Sequence, residues 1–333
     1  VFNAFFKHPD LLANPRRPFG GRRAYDRQEH RFDKDQPDLC GLLSELRSDL
    51  DAVLGRMSVG ELFGGGPALA ASYTAPRHLV FDFRLLEQPW LAAAFGRAIV
   101  ERESAFGPDH WPTVVLSNHD QPRHASRFNE RGLGEARAKA AAVLLLTLRG
   151  TPFLYYGEEI GLPNVEIPRA EVVDPPARRA GLRFPWWNRD QARAPMPWGD
   201  GLNAGFSAGR PWLRMAPHGE TRNVARQAAD PSSILSFYRR LIWLRRTTPA
   251  LQVGAFEWVA RGERGALAYL RRTTDQSVLA AINFLDRPVD VALGDAPSSS
   301  WSILASTNDP VPNEPVSKRL ILRPMEAVIL EAH

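Results

Sequence analysis

Four short apolar runs, beginning near residues 57, 79, 113 and 152 and separated by stretches of helical character, constrain this chain more than any other feature of its 333 residues. Met57 to Gly60 ends in Glu61 and then in Gly64, Gly65 and Gly66. His78 to Phe83 leads into a helical stretch from Pro89 to Arg102. Thr113 to Leu116 is followed by Ser117, Asn118, His119 and Asp120. Glu135 to Leu148, rich in Ala, Leu, Arg and Lys and stopped by Gly150, precedes Pro152 to Tyr156, which Gly157 closes. Ahead of them Leu39, Leu42, Leu43, Leu46, Leu50, Val53 and Leu54 recur at three and four, which predicts an amphipathic helix. Alternating strand-like and helical segments are the pattern of consecutive βα units in an α/β protein with a parallel sheet. Two folds accept four such units: the second half of a (β/α)8 TIM barrel, or a complete doubly wound domain. The doubly wound fold favours a glycine-rich phosphate turn after its first strand, and no such turn is visible, so the half barrel is preferred.

Beyond residue 156 the texture changes twice. Asn164 to Phe206 is rich in Pro, Arg and Trp and has little periodicity. A loop that long is functional or disordered, and Phe184, Trp186, Trp187, Trp198 and Phe206 favour function. After a helix over Ser232 to Arg246, strand-like runs follow at Phe256–Val259, Leu267–Leu270, Val278–Phe284, Val289–Leu293, Trp301–Leu304, Leu320–Leu322 and Ala327–Leu330, with turn residues between them. The expected organisation is therefore a half barrel over residues 1–250, carrying the long loop 164–206, and an all-β antiparallel sandwich domain over residues 251–333.

Composition removes several functions. With 44% hydrophobic and 24% charged residues the chain is an ordinary globular one. The longest apolar run, Ala138 to Leu148, is interrupted by Lys139 and falls short of the roughly 18 to 20 residues a membrane helix needs. No membrane partner is expected. The net charge of +5 invites a nucleic-acid reading, yet only Lys7, Lys34, Lys139 and Lys318 are lysines, and that skew towards arginine resembles codon bias. The basic clusters Arg16, Arg17, Arg22, Arg23 and Arg178, Arg179 are short and lack interleaved aromatics, so no nucleic-acid partner is expected. Cys40 is the single cysteine. It is expected as a small core residue on its helix face; one thiol gives neither a disulfide nor a zinc cluster and is compatible with a reducing, cytoplasmic setting. Val1 stands where a start methionine would, so the expectation is a chain cut from a longer one.

In barrel enzymes the reacting groups stand at the C-terminal ends of several strands. Glu61 and Asp120 meet that test on two strands, two βα units apart at roughly 30 residues per unit. Paired carboxylates across a cavity suit glycosidic cleavage, one protonated to serve the leaving oxygen and others ionised beside an oxocarbenium-like centre. They suit equally a pair of loop or N-cap carboxylates, and spacing alone does not separate the readings. His119 has no second ligand at metal spacing, so a hydrogen bond to a substrate hydroxyl fits it better than a metal; neither a metal nor a cofactor is expected. His8, His30, His78, His110, His124 and His218 are read as surface or structural residues. Glu158 and Glu159 follow the fourth run and face the same rim, as supporting partners for an arginine.

Val115-Leu116-Ser117-Asn118-His119-Asp120-Gln121-Pro122-Arg123 resembles the asparagine-histidine-aspartate segment of glycoside hydrolase family thirteen, the α-amylase family, in its α-glucosidase and oligo-1,6-glucosidase branch. Val59-Gly60-Glu61 is similar to that family's general-acid segment. The resemblance continues through Gly150 to Gly161, Arg189 to Trp198, Asn203 to Phe206 and the closing Leu322 to Ala327, and so covers nearly the whole chain.

The resemblance implies a retaining, exo-acting glycosidase in which these four runs are barrel strands five to eight. Glu61 is then the general acid and base, Asp120 the transition-state stabiliser, and His119 and Arg189 hold the terminal glucose. Arg123, Glu158 and Glu159 would support them from behind. Arg189 is expected to pair with an Asp of the N-terminal half. Val1 to Phe6 resembles the segment after the nucleophilic aspartate, which would place that residue just before Val1 and leave this polypeptide alone inactive and poorly soluble. The implied substrate is an α-linked gluco-oligosaccharide. Val1 leans towards α-1,6 linkages and the short loop Asn164–Trp187 towards broader α-glucosidases, so both linkages stay open. A sucrose isomerase and a non-catalytic, transporter-associated scaffold are the alternatives; the oligomeric state is left open.

Overall fold

The computed structural model describes residues 4–19, 24–62, 64–180, 188–217, 219, 222–293, 298, 300–308 and 315–333. Val1, Phe2, Asn3, Arg22, Arg23, Phe184, Trp186, Trp187 and His218, on which expectations rest above, lie outside them. The chain divides into two compact units, Val1–Asp82 with Glu101–Thr113, and Phe83–Val100 with Val114–His333.

The first unit contains α1 (Leu39–Asp51), β1 (Val59–Gly60), α2 (Pro67–Ser72) and β2 (Leu79–Val80), and the end of α3 (Ala92–Phe106). β1 and β2 pair in parallel, Val59 with Leu79 and Gly60 with Val80, with α2 in the crossover between them. This is the βα connection that the spacing of the apolar runs requires. The Thr113 hydroxyl donates to the Val80 carbonyl (3.1 Å) and accepts from the Asp82 amide (3.0 Å), which continues the bonding edge beyond β2. Leu39, Leu43, Leu62, Tyr73, Val80 and Phe106 form the apolar centre. Cys40 is exposed, contrary to expectation, because the buried stripe of α1 narrows to Leu39 and Leu43. The helix stops at Asp51, so Val53 and Leu54 lie beyond it and are exposed.

The second unit begins with Phe83–Val100. It continues from Val114 through the rest of β3 (Thr113–Val115), α4 (His124–Arg127), α5 (Gly134–Thr147), β4 (Thr151–Phe153), α6 (Pro175–Ala180), α7 (Val224–Ala229), α8 (Ile234–Thr247) and α9 (Pro249–Val253). β3 and β4 pair with each other. Trp90 joins Phe83–Val100 to this unit, with its ring 4.4 Å from Phe284 and 4.9 Å from Phe128. From Ala138 to Thr147 only Lys139 escapes burial. A helix that is apolar all round is a buried helix, and α5 shares one core with Phe237, Tyr238 and Leu241 of α8 on one side and with sheet residues on another.

That sheet is β5 (Ala255–Arg261), β6 (Ala266–Arg272), β7 (Ser277–Asn283), β11 (Ala327–Ala332) and β9 (Trp301–Ser306), in that spatial order and antiparallel throughout. β8 (Val289–Ala292) and β10 (Arg319–Leu322) form a second antiparallel pair. All seven expected strands are present. Successive residues of a strand point to opposite faces. Leu267 and Tyr269 of β6 therefore join the helical core, while Ala266, Ala268 and Leu270 join a second core with Val289, Val291, Leu320 and Leu322 of the β8–β10 layer. The central strands are buried on both faces, which is why they read as continuous apolar runs. Buried polar bonds fasten helix to sheet: Thr147 Oγ1 lies 2.6 Å from the Tyr269 hydroxyl, and Arg271 donates to the Thr147 carbonyl (2.7 Å) and the Gly254 carbonyl (2.9 Å). Among the described residues no helix is long and apolar enough to cross a membrane.

Candidate active site

The segment between β3 and α4 carries His119 and Asp120, and polar bonds set its shape. Asn118 Oδ1 accepts the amides of Asp120 and Gln121, both at 2.9 Å, an Asx turn that reverses the chain beyond the strand. Arg127, one turn into α4, reaches back to the Leu116 carbonyl (2.6 Å) and the Pro122 carbonyl (3.1 Å), so one guanidinium grips both arms of the loop. Burial lowers its pKa to about 10, which leaves it charged at neutral pH.

Asp120 projects from this loop with its side chain 38% exposed. Its Oδ1 accepts from Arg189 Nη1 (3.0 Å) and from Arg193 Nη2 (2.8 Å), and His119 Nε2 lies 3.6 Å away. Arg193 Nε also donates to the His119 carbonyl (2.9 Å). Among the described residues Oδ2 takes no hydrogen bond. One oxygen is thus clamped by two cations while the other stays available as an acceptor, an arrangement suited to gripping sugar hydroxyls or facing developing positive charge.

Arg189 is fixed from behind. Asp174, whose side chain is fully buried, accepts Arg189 Nη2 (2.6 Å), Nε (3.1 Å) and the Arg189 amide (3.2 Å). Burial pushes the Asp174 carboxyl up, but the hydrogen bonds and charge of Arg189, with the charge of Arg193, outweigh it and hold the group below the usual carboxylate range. The Arg189 guanidinium is raised in turn, first by its bonds to Asp174. The brace is reciprocal: Asp190, also buried, accepts the amides of Val173 (2.8 Å) and Asp174 (3.0 Å).

Two tyrosines tie this segment to the end of β4. The Tyr155 hydroxyl donates to the Ala192 carbonyl (3.0 Å) and the Tyr156 hydroxyl to the Ala194 carbonyl (2.7 Å). The guanidinium of Arg123 lies over both rings, 4.7 and 4.5 Å from their centroids, and donates to the Tyr156 carbonyl. Gly157 follows with φ +85°, and a Cβ there would stand 2.7 Å from Leu162 and 2.9 Å from Arg123 Nη1, so a side chain would be strained and would force Leu162 and the arginine to shift.

The structure therefore brings His119, Asp120 and Arg189 into one cluster and places Arg123 behind it. Glu158 is buried against His124, 3.2 Å from Nδ1, and its charge also acts on the guanidinium groups of Arg123 and Arg127. Glu159 lines a hollow of about 350 Å³ with Tyr156, Arg193, Trp198, Phe206 and Trp212, and burial raises its carboxyl. Glu61 lies in the first unit, solvent-exposed just past β1. Sequence reasoning missed Asp174, Asp190 and Arg193. Arg193 stands four residues after Arg189 and could have been noticed; nothing near Asp174 signals its pairing with Arg189.

The model of the alpha amylase catalytic domain matches residues 14–254. The chain belongs to the alpha-amylase family. The oligo-1,6-glucosidase of Parageobacillus thermoglucosidasius is 28% identical over 329 residues, covering 89% of this chain and 58% of that protein. A probable alpha-glucosidase of Rhizobium meliloti (strain 1021) is 32% identical over 305 residues, covering 86% of this chain and 54% of its own length. The trehalulose synthase MutB from Pseudomonas mesoacidophila MX-45 superposes with a TM-score of 0.78 at 28% identity, covering 89% of this chain and 59% of that one. A MutB mutant with the substrate sucrose superposes at 0.80. The chain thus spans somewhat under 60% of the length of these relatives. In this alpha-amylase family chain β1 to β4 and their helices correspond to the second half of the (β/α)8 barrel, and β5 to β11 are the antiparallel sandwich that follows it.

Proposed function

We propose that this chain carries the acid and stabilising carboxylates of a retaining, exo-acting α-glucosidase that releases terminal α-1,4- or α-1,6-linked glucose from oligosaccharides. The observation that carries the reading is the Asp120 carboxylate, held at one oxygen by Arg189 and Arg193 and open at the other, beside His119. The named relatives include an oligo-1,6-glucosidase and a probable alpha-glucosidase, which supports the substrate class.

In this reading the Glu61 carboxylic acid gives its proton to the glycosidic oxygen as the C1–O bond breaks, and a nucleophilic carboxylate closes on C1. The family resemblance aligns that nucleophile with the position before Val1. Asp120 faces the charge developing at C1 and the ring oxygen and accepts from neighbouring hydroxyls through Oδ2, while Arg189 and His119 orient the same glucose. Glu61, now a carboxylate, removes a proton from water as the water attacks C1 and regenerates the free carboxylate. A second activity, sucrose isomerisation, is favoured by the likeness to MutB. The reading also includes a cytoplasmic location and a domain boundary at 250/251; α9 runs across that point, from Pro249 to Val253, and β5 starts at Ala255, which favours a boundary near Gly254.

The test is release of p-nitrophenol from p-nitrophenyl α-glucoside by the complete gene product and by its Glu61→Gln variant. Undiminished turnover in the variant defeats the acid assignment, and conversion of sucrose to its isomers selects the second activity.

A further inference from the structure

Beneath the loop that carries Asp120 lies a buried polar cluster that the proposed chemistry does not use. Ser117 ends the strand side of the loop, His124 opens α4, and Glu158 follows β4; their exposures are 2%, 0% and 1%. The His124 amide donates to Ser117 Oγ (2.9 Å), which closes residues 117–124 into a ring at its base. The imidazole Nδ1 lies 3.1 Å from Ser117 Oγ and 3.2 Å from Glu158 Oε1, and Glu158 Oε2 accepts the Tyr155 amide (3.3 Å). Among the described residues His124 Nε2 is buried with no partner. A proton there would be an unsatisfied buried donor, so the favoured tautomer carries its hydrogen on Nδ1 and donates to Glu158.

We propose that Ser117, His124 and Glu158 are positioning residues for Asp120, resting on the glucosidase reading above. They lock the end of β3, the start of α4 and the turn after β4 together, and the Asp120 loop springs from that lock. Asp120 itself is held by two arginine side chains on a different segment. Its height relative to Arg189 is therefore fixed only if the loop's base is fixed. Apolar residues would fill this space without burying a carboxylate; the polar trio instead specifies one geometry through directional bonds. A displacement near 1 Å at a reacting group costs on the order of a hundredfold in rate.

The test uses the complete gene product and p-nitrophenyl α-glucoside. His124→Phe keeps a planar ring at the site and removes the donor, and kcat falls about 30- to 100-fold with KM changed less than about threefold. His124→Asn, whose Nδ2 can stand where Nδ1 does, recovers kcat to within about fivefold of wild type. Ser117→Ala, a milder change for the case in which His124→Phe does not fold, lowers kcat about tenfold. Wild-type kcat per folded molecule in Ser117→Ala or in folded His124→Phe, or no advantage of Asn over Phe, overturns the proposal. Asp120→Asn run alongside separates the two levels: activity retained there removes the glucosidase reading, whereas an inactive Asp120→Asn beside an unaltered Ser117→Ala removes the positioning role alone.

Discussion

The sheet from β5 to β11 and the segments around Asp120 belong to the same unit, yet their order is built differently. In the sheet, neighbours along the chain sort themselves: Leu267 and Tyr269 turn to the helices while Ala268 and Leu270 turn to the β8–β10 layer, and burial holds each in place. Around Asp120 almost every decisive bond joins residues distant in sequence and polar in character, such as Asp174 with Arg189 and Tyr155 with Ala192. The first kind of order tolerates substitutions of similar volume, because hydrophobic burial is non-directional. The second depends on donors and acceptors that meet at fixed angles, and one lost partner leaves another buried and unsatisfied.

That contrast can be broken by mutation. The largest effect is expected at Asp120→Asn, which lowers kcat about a thousandfold in the p-nitrophenyl α-glucoside assay of the complete gene product while leaving the melting temperature within a few degrees of wild type. A coupled loss of folding would show that the site also holds the fold together. Tyr269→Ala should do the reverse: urea titration should show a loss of about 3 to 5 kcal/mol, with kcat per folded molecule unchanged. A fall in kcat would show that the sheet reaches the chemistry.

Asp174→Asn lies between the two regions in character. Removing the charge opposite Arg189 is expected to cost about 3 kcal/mol and to raise KM. Because the Asp174 carboxyl is held low in the folded protein, its contribution is present above the unfolded carboxyl range near about 3.9 and is lost as pH falls through the lower folded value. Melting curves from pH 7 to pH 3 should then show a gap between wild type and variant that is constant down to about pH 5 and narrows below about pH 4; a gap that widens with acidity contradicts the assignment. Smallest is Tyr155→Phe, which deletes the hydroxyl bonded to the Ala192 carbonyl and should cost about 1 kcal/mol, with a modest rise in KM.

What could be read beforehand follows the same line. All seven strands of the sandwich are legible because short apolar runs bounded by turn residues are written in adjacent residues, and α5 because Ala and Leu dominate it despite Glu135, Arg137 and Lys139. The stripe of α1 was overdrawn: Leu46, Val53, Leu54 and Cys40 fit the spacing, but the helix ends at Asp51 and only Leu39 and Leu43 among its residues are buried. Glu158 and Glu159 are legible as carboxylates that act on an arginine, and both lie in the field of Arg123; the contact of Glu158 with His124, 34 residues away in sequence, is made only by the fold.

By itself the sequence determined the order of elements, the two-layer sheet and the residue types available for sugar chemistry, because periodicity and motif are local properties of the chain. Only the tertiary structure decided that Arg189 and Arg193 both clamp one oxygen of Asp120, that Asp174 backs Arg189, and that His124 pairs with Glu158. A hydrogen bond is fixed by distance and angle in space, and residues 15 to 73 positions apart acquire those only after the chain has packed.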